Sequence, residues 1–189
     1  MYEVEVVYAI EHAQDIREKL TTNGMKLVSK TKQGAIFLIK EGSDYVVRIR
    51  ITPQKAELSL KGNSFNKARL ELESEISDYE SVYKIFIALG YRLDTYFLRT
   101  RETYSDIQKG YKLDLDTTVD SAIVLEIEKT INDPALEETT RNAIIDYATR
   151  TLKLSKNITS EEFHKMLNDF KSKQPKEIDF DKIRQFLKH

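Results

Sequence analysis

Residues 45–51 read YVVRIRI and residues 111–116 read YKLDLD. In the first, Val47, Ile49 and Ile51 alternate with Arg48 and Arg50; in the second, Leu113 and Leu115 alternate with Asp114 and Asp116. Successive side chains of an extended chain point to opposite faces, so each segment predicts a strand with one aliphatic and one ionic face. The pattern recurs outward in both directions. Val4 and Val6 alternate with Glu3 and Glu5, Leu70 and Leu72 with Arg69, Glu71 and Glu73, and Leu125 and Ile127 with Glu126 and Glu128. Leu58 and Leu60 share a segment with Lys61, and Arg99 with Arg101 form a further like-charged pair. Bounded by Gly, Asn, Asp or Pro, the windows predict strands near 2–8, 25–31, 34–40, 45–52, 55–61, 67–75, 94–104, 109–117 and 122–129.

Two helices interrupt these strands. Residues 11–23 carry Ala13, Ile16 and Leu20 at helical spacing and stop at Asn23-Gly24, where glycine accepts the left-handed conformation that ends a helix. The second starts at Ser77 with Glu80 three residues on, a capping-box pattern, and sets Val82, Ile85, Phe86 and Leu89 on one face before Gly90. Beyond residue 130 the period changes. Asp133-Pro134 reads as a cap followed by a proline tolerated at the first helical position, and Leu136, Ile144, Tyr147, Ala148 and Leu152 mark the helix. Thr159 with Glu162 opens another, bearing Phe163, Met166, Leu167 and Phe170. A short one near 179–188 bears Ile183, Phe186 and Leu187, and Lys171 to Lys176 is the linker candidate. Residues 1–189 read as a single domain, strand-rich over 1–130 and helical over 133–189.

Composition narrows the functions open to such a sheet. The chain has 189 residues, with 30 Lys+Arg against 31 Asp+Glu. A general nucleic-acid binder needs a basic excess to displace phosphate counterions, so any polyanion site here is local. Cysteine is absent, which removes thiol nucleophiles and thiolate metal sites and leaves oxygen-ligand metal chemistry. The start, MYEVEVV, lacks a basic and apolar leader, and the apolar runs fall far below the roughly 20 residues that span a bilayer. These features predict a cytoplasmic protein with no membrane partner. The six glycines never form a phosphate loop, so phosphate binding must come from side chains. His12, His164 and His189 read as surface residues, and Tyr79, Tyr83, Phe86 and Tyr91 as core packing.

The polar half of the alternation is unusual for a solvated face. Residues two apart on one face lie about 6.5–7 Å apart, and here such pairs carry like charges: Glu3/Glu5, Arg48/Arg50, Glu71/Glu73, Arg99/Arg101, Asp114/Asp116 and Glu126/Glu128. An antiparallel sheet with water on its ionic face is one reading. The other closes the strands into a barrel with the ions inside. Like charges about 6 Å apart at an effective dielectric near 20 repel by nearly 3 kcal/mol, so such an interior requires counter-ions. Arg–Glu pairing relieves part of this, and a polyphosphate on the arginines with a hard cation on the carboxylates relieves more.

Taken in order, YEVEVV, YVVRIRI, AELSLKG, KARLELE, FLRTRETY, YKLDLD and IVLEIEK resemble the CYTH superfamily, the triphosphate-tunnel proteins that include class IV adenylyl cyclases and thiamine-triphosphatase-like hydrolases. TSEEFHKML resembles the start of the family's terminal helix. The resemblance implies an α+β fold: an eight-stranded antiparallel closed β-barrel, the triphosphate tunnel, with surrounding helices and a helical C-terminal region. One of the nine candidate strands, within 25–40, is then not separate.

The resemblance also implies roles. Arg48, Arg50, Lys61, Arg69, Arg99 and Arg101 hold phosphates; Glu126 and Glu128, with Glu3 or Glu5, face Mg2+ or Mn2+. Asp114, Asp116, Glu71 and Glu73 orient the basic groups or take a second metal, and Glu5 or Glu128 serves the attacking water. The chain departs from the family signature, Glu-x-Glu-x-Lys, at its last position, where Val7 stands. That lysine is linked in the family to phosphate contact or catalysis, and Lys26, Lys30, Lys32 and Lys112 are the sequence's candidate substitutes. The implied activity is metal-dependent hydrolysis of a small-molecule triphosphate, organic or inorganic. A cyclase making cyclic AMP is the alternative, and a non-catalytic polyphosphate or nucleotide binder is the third reading. Monomer and homodimer are both compatible with these patterns.

Overall fold

The computed structural model describes residues 2–62, 71–119, 123–154, 162, 165, 168–169, 171–172 and 177–188, with Glu71 described by its backbone. Its strands are β1 (Tyr2–Ala9), β2 (Lys26–Ile39), β3 (Tyr45–Ile51), β4 (Ala56–Gly62), β5 (Glu71–Ile76), β6 (Arg92–Asp106), β7 (Tyr111–Thr118) and β8 (Ile123–Ile131). The helices are α1 (Ala13–Thr22), α2 (Tyr79–Ala88), α3 (Glu137–Arg150), preceded by a 3-10 turn over Pro134–Leu136, and α4 (Phe180–Lys188). The fold is α+β, as expected. The eight strands form one sheet in the order β1-β8-β7-β6-β2-β3-β4-β5, with antiparallel ladders β1–β8, β7–β8, β2–β3, β3–β4 and β4–β5. The order is linear, so the closure expected from the sequence is not among the pairings of the described residues.

The strands expected at 25–31 and 34–40 are one, β2. Gly34, read as a breaker, lies inside it; a Cβ there would sit 3.2 Å from Ile183 Cγ2. This glycine serves a close approach and not a turn.

The chain divides into two units. The first comprises Met1–Lys30 and Thr100–Phe163. Its core joins Val4, Val6 and Tyr8 of β1, Ile16 and Leu20 of α1, Leu113 and Leu115 of β7, Leu125 and Ile127 of β8, and Ile144, Tyr147 and Ala148 of α3. Full burial of each Leu or Ile contributes about 1.5–3 kcal/mol, so the aliphatic parity sets which face the helices cover. Gly24, at φ +78°, ends α1 as expected, and its N–H donates to the Thr21 carbonyl at 3.0 Å. The Asp133 cap also forms, its Oδ1 accepting from the Ala135 N–H at 2.9 Å. Two apolar markers of this helix sit differently than expected: Leu136 lies in the 3-10 turn and is exposed, and Leu152 is buried beyond the end of α3.

The second unit comprises Thr31–Arg99 and His164–His189. Ile36, Leu38, Val47, Ile49, Ile51, Tyr96, Leu98 and Ile183 form its core. The start of α2 differs from the capping box expected at Ser77. Asp78 is the cap, accepting from the Ser81 N–H at 3.0 Å and the Ser81 hydroxyl at 2.6 Å. An ionised carboxylate is the stronger acceptor for these donors. The stripe that packs on the core is Tyr79, Val82, Tyr83 and Phe86, each partly buried, and Ile85 and Leu89 are exposed. Leu72, expected inside, is 56% exposed on the edge strand β5. Lys171 and Ser172, expected in a linker, are helical, and the Lys171 ammonium donates to Asp94 at 2.8 Å. Residues 173–176 and, of the helix expected from Thr159, that residue with Phe163, Met166, Leu167 and Phe170 lie outside the described residues.

Candidate functional site

In the first unit, ladder register sets the ionic face. Glu5 on β1 lies opposite Glu128 on β8, Val7 lies opposite Glu126, and across the other edge of β8 Lys112 and Asp114 of β7 pair with Glu128 and Glu126. Arg101 of β6 is the hub. Its Nε and Nη2 grip Asp116 at 2.8 and 2.6 Å, Nη1 donates to Asp114 Oδ2 at 2.7 Å, and Nη2 also donates to Glu126 Oε2 at 2.6 Å. Asp114 and Asp116 are fully buried. Burial works against the Arg101 charge, but the Asp116 bond and the fields of Glu126, Asp116 and Asp114 outweigh it, so this guanidinium binds its proton more tightly than a free one. Thr103 completes the cluster, donating its hydroxyl to Asp114 Oδ1 at 2.6 Å.

Lys112 makes a second node. Its Nζ lies 2.8 Å from Glu128 Oε1 and 3.1 Å from Asp114 Oδ2. Burial, with the neighbouring charges of Glu3 and Asp114, raises the Glu128 carboxyl above its ordinary range against the pull of Lys112. Glu3 and Glu5 are exposed on β1, and the Glu5 backbone carbonyl accepts from Arg141 Nη1 of α3 at 3.1 Å.

In the second unit, Arg48 and Arg50 of β3 meet carboxylates of β4 and β5. Arg48 Nη2 donates to Glu73 Oε1 at 2.9 Å and to the Ser59 hydroxyl at 3.0 Å, which itself donates to Glu73 at 3.0 Å. Arg50 Nε donates to Glu57 Oε2 at 2.9 Å. Lys55, at 2.6 Å, and then Arg50 hold the Glu57 carboxyl below its usual range, against the opposing effect of burial. Lys61 lies opposite Glu71 on β5. Arg99 Nε donates to the Gln33 side chain at 3.3 Å. Phe37 and Phe97 pack edge to face at 5.8 Å between centroids; Phe37 pairs in register with Arg48, and neither ring belongs to the core.

The structure therefore brings together Arg101, Asp114, Asp116, Glu126 and Glu128 in one unit, and Arg48, Arg50 and Glu73 in the other. Arg69 lies outside the described residues. Of the four candidate replacement lysines, Lys30 turns to Glu102 at 2.9 Å and Lys32 lies over the Phe186 ring, while Lys112 sits among the carboxylates. Sequence reasoning passed over Ser59, Thr103, Gln33, Glu57 and the two phenylalanines. Thr103 shares the parity of Arg101, Ser59 and Glu57 that of Lys61, and Phe97 that of Arg99, so parity was the signal that could have found them.

The donor set consists of hard carboxylate oxygens, the ligands that Mg2+ and Mn2+ prefer, and in kind it fits such an ion. As arranged, Arg101 and Lys112 take those oxygens, and among the described residues no three acidic or histidine side chains are spaced to hold a metal ion.

Comparison with known proteins finds relatives in sequence and in fold. The Methanocaldococcus jannaschii protein MJ0240, provisionally named an adenylate cyclase, is 28% identical over 145 residues, covering 70% of this chain and 79% of that protein. The PH1819 protein from Pyrococcus horikoshii superposes with a TM-score of 0.72 at 22% identity, covering 89% of this chain and 99% of that one. HpAC1 from Hippeastrum, provisionally named an adenylyl cyclase and described as having a dominant triphosphatase activity, superposes with a TM-score of 0.61 at 14% identity, covering 89% and 96%. The CYTH domain model matches residues 1–163, most of the sequence: this chain belongs to the CYTH domain family.

Proposed function

We propose that this protein is a divalent-metal-dependent triphosphatase acting on an organic or inorganic triphosphate. The observation that supports this most is the pairing of arginine guanidinium groups with carboxylates, buried at Asp114 and Asp116, partly exposed at Glu57 and exposed at Glu73, on strands of a CYTH chain. Planar guanidinium groups on short strands offer bidentate, fixed donors to phosphate oxygens. In this reading Arg48, Arg50, Lys61, Arg69, Arg99 and Arg101 bind and orient phosphates, exchanging carboxylate partners such as Glu73 for phosphate oxygens. Glu3, Glu5, Glu126 and Glu128, with Asp114 and Asp116, hold Mg2+ or Mn2+, while Glu71 and Glu73 orient the basic groups. When held by these carboxylates, such an ion would neutralise charge on phosphate oxygens. Glu5 or Glu128 positions the attacking water and accepts its proton as the water oxygen bonds to the terminal phosphorus and the bridging P–O bond breaks.

The name given to the M. jannaschii relative supports a cyclase as the second reading, with the nucleotide's own 3′-hydroxyl attacking the α-phosphorus. Val7, opposite Glu126 in the ladder, supports a third reading, a binder without turnover. Incubation with Mg2+ or Mn2+ and ATP, thiamine triphosphate or tripolyphosphate separates the three: orthophosphate for the hydrolase, pyrophosphate with cyclic nucleotide for the cyclase, and binding without product for the third. Glu126→Gln and Arg50→Ala are each expected to lower an observed activity by at least about 100-fold; unchanged rates would place the chemistry elsewhere.

A further inference from the structure

Lys112 occupies an unusual position for a strand lysine. Its ammonium bridges carboxylates of two strands, Glu128 at 2.8 Å and Asp114 at 3.1 Å. Glu5 faces Glu128 from β1, and the Glu3 charge reaches Glu128 as well. Two acids thus hold this lysine, with Glu3 and Glu5 beyond Glu128, while the buried Arg101 is committed to Asp114, Asp116 and Glu126. An ammonium is a compact point charge on a flexible stem, and about half of the Lys112 side chain is exposed. Its partners Asp114 and Glu128 are buried, 1% and 16% exposed, and need a cation, but this amine, on its half-exposed stem, swings to solvent once another cation takes its place. Arg101, 12% exposed and held by a two-bond fork, does not. The oxygens that Lys112 bridges belong to the set that would take a divalent cation.

From this placement we infer that Lys112 is the resident counter-cation of the carboxylate face, and that its seat between Glu128 and Asp114 and the binding of a divalent ion there exclude one another. The inference rests on the proposed reading that these carboxylates take a metal. Divalent ions must displace the amine in the wild-type chain, and removing it opens the oxygens.

The test is Mn2+ alone, titrated at fixed pH and ionic strength and followed by calorimetry and by the loss of the free-ion electron paramagnetic resonance signal. It compares the wild-type protein, Lys112→Met, Lys112→Gln and Lys129→Met. Lys129 lies on β8 with its ammonium over the Tyr111 ring, 5.2 Å from the centroid, so its loss changes net charge equally without touching the two acids. Both Lys112 variants are expected to bind Mn2+ about 5- to 100-fold more tightly than wild type, and Lys129→Met within about 2-fold of it, as for a screened charge. Equal affinity across all four proteins, or an equal gain in Lys129→Met, overturns the displacement while leaving the metal reading intact. Absence of Mn2+ binding in every protein, each shown by thermal unfolding to be folded, overturns the metal reading and the inference with it.

Discussion

Arg101 illustrates how much one residue can carry. Its guanidinium satisfies two fully buried aspartates and Glu126, and buried acids stripped of their cation are costly. Arg101→Met is expected to lower stability by about 3–5 kcal/mol, read as a shift of the urea midpoint at neutral pH. Arg101→Lys should recover only part of the loss, because an ammonium cannot form the fork on Asp116. Equal stability of Arg101→Met and wild type would show the cluster to be dispensable. The sequence made the like-charged pairs at Arg99/Arg101 and Asp114/Asp116 legible through period 2. It did not say that Arg101 gathers both aspartates while Arg99 turns to Gln33. That choice depends on strand register, and a slip of one residue would reverse every side chain.

At the scale of elements, alternation predicted the strands well because one face of each had to be buried. It overcounted at Gly34, where a glycine serves close packing by α4, it took Ser77 for the cap of α2, and it placed Ile85 and Leu89 in the packed stripe where Tyr79 and Tyr83 stand. Local hydrogen bonding decides a helix start among several polar candidates, and Asp78 prevails by engaging both the N–H and the hydroxyl of Ser81. Asp78→Ala is therefore expected to cost about 1 kcal/mol in thermal or chemical unfolding, and Ser77→Ala much less; the reverse order would restore the expected capping box. Gly34→Ala should cost about 1–3 kcal/mol, since the new methyl meets Ile183 in a fully packed site.

For the whole molecule, a near-neutral charge sum conceals how unevenly the ions are placed. Glu102, on the aliphatic parity of β6, is almost wholly buried and accepts from Arg17 at 3.0 Å, Lys30 at 2.9 Å and the Tyr104 hydroxyl at 3.0 Å. Burial raises its carboxyl, but the three donors outweigh this and lower it to about 2 from 4.5. A carboxyl depressed in the folded state stabilises the protein above its unfolded value and loses that contribution as pH falls through the window from 4.5 towards 2. Glu102→Gln should thus be less stable than wild type at pH 7 by about 2–3 kcal/mol, and the gap should narrow as acid is added. A gap that stays constant between pH 7 and pH 3 would remove Glu102 from acid unfolding. Its place on the aliphatic parity was the mark in the sequence, but the two cations that satisfy it lie 85 and 72 positions away in the chain.

The edge-to-face pair of Phe37 and Phe97 offers an optical handle. The chain contains no tryptophan, and both rings stand outside the core on strands whose neighbouring positions carry Arg48 and Arg99. Phe37→Trp would place the molecule's sole indole beside those cations, so that any polyanion settling on them would change its emission against a background of tyrosine alone.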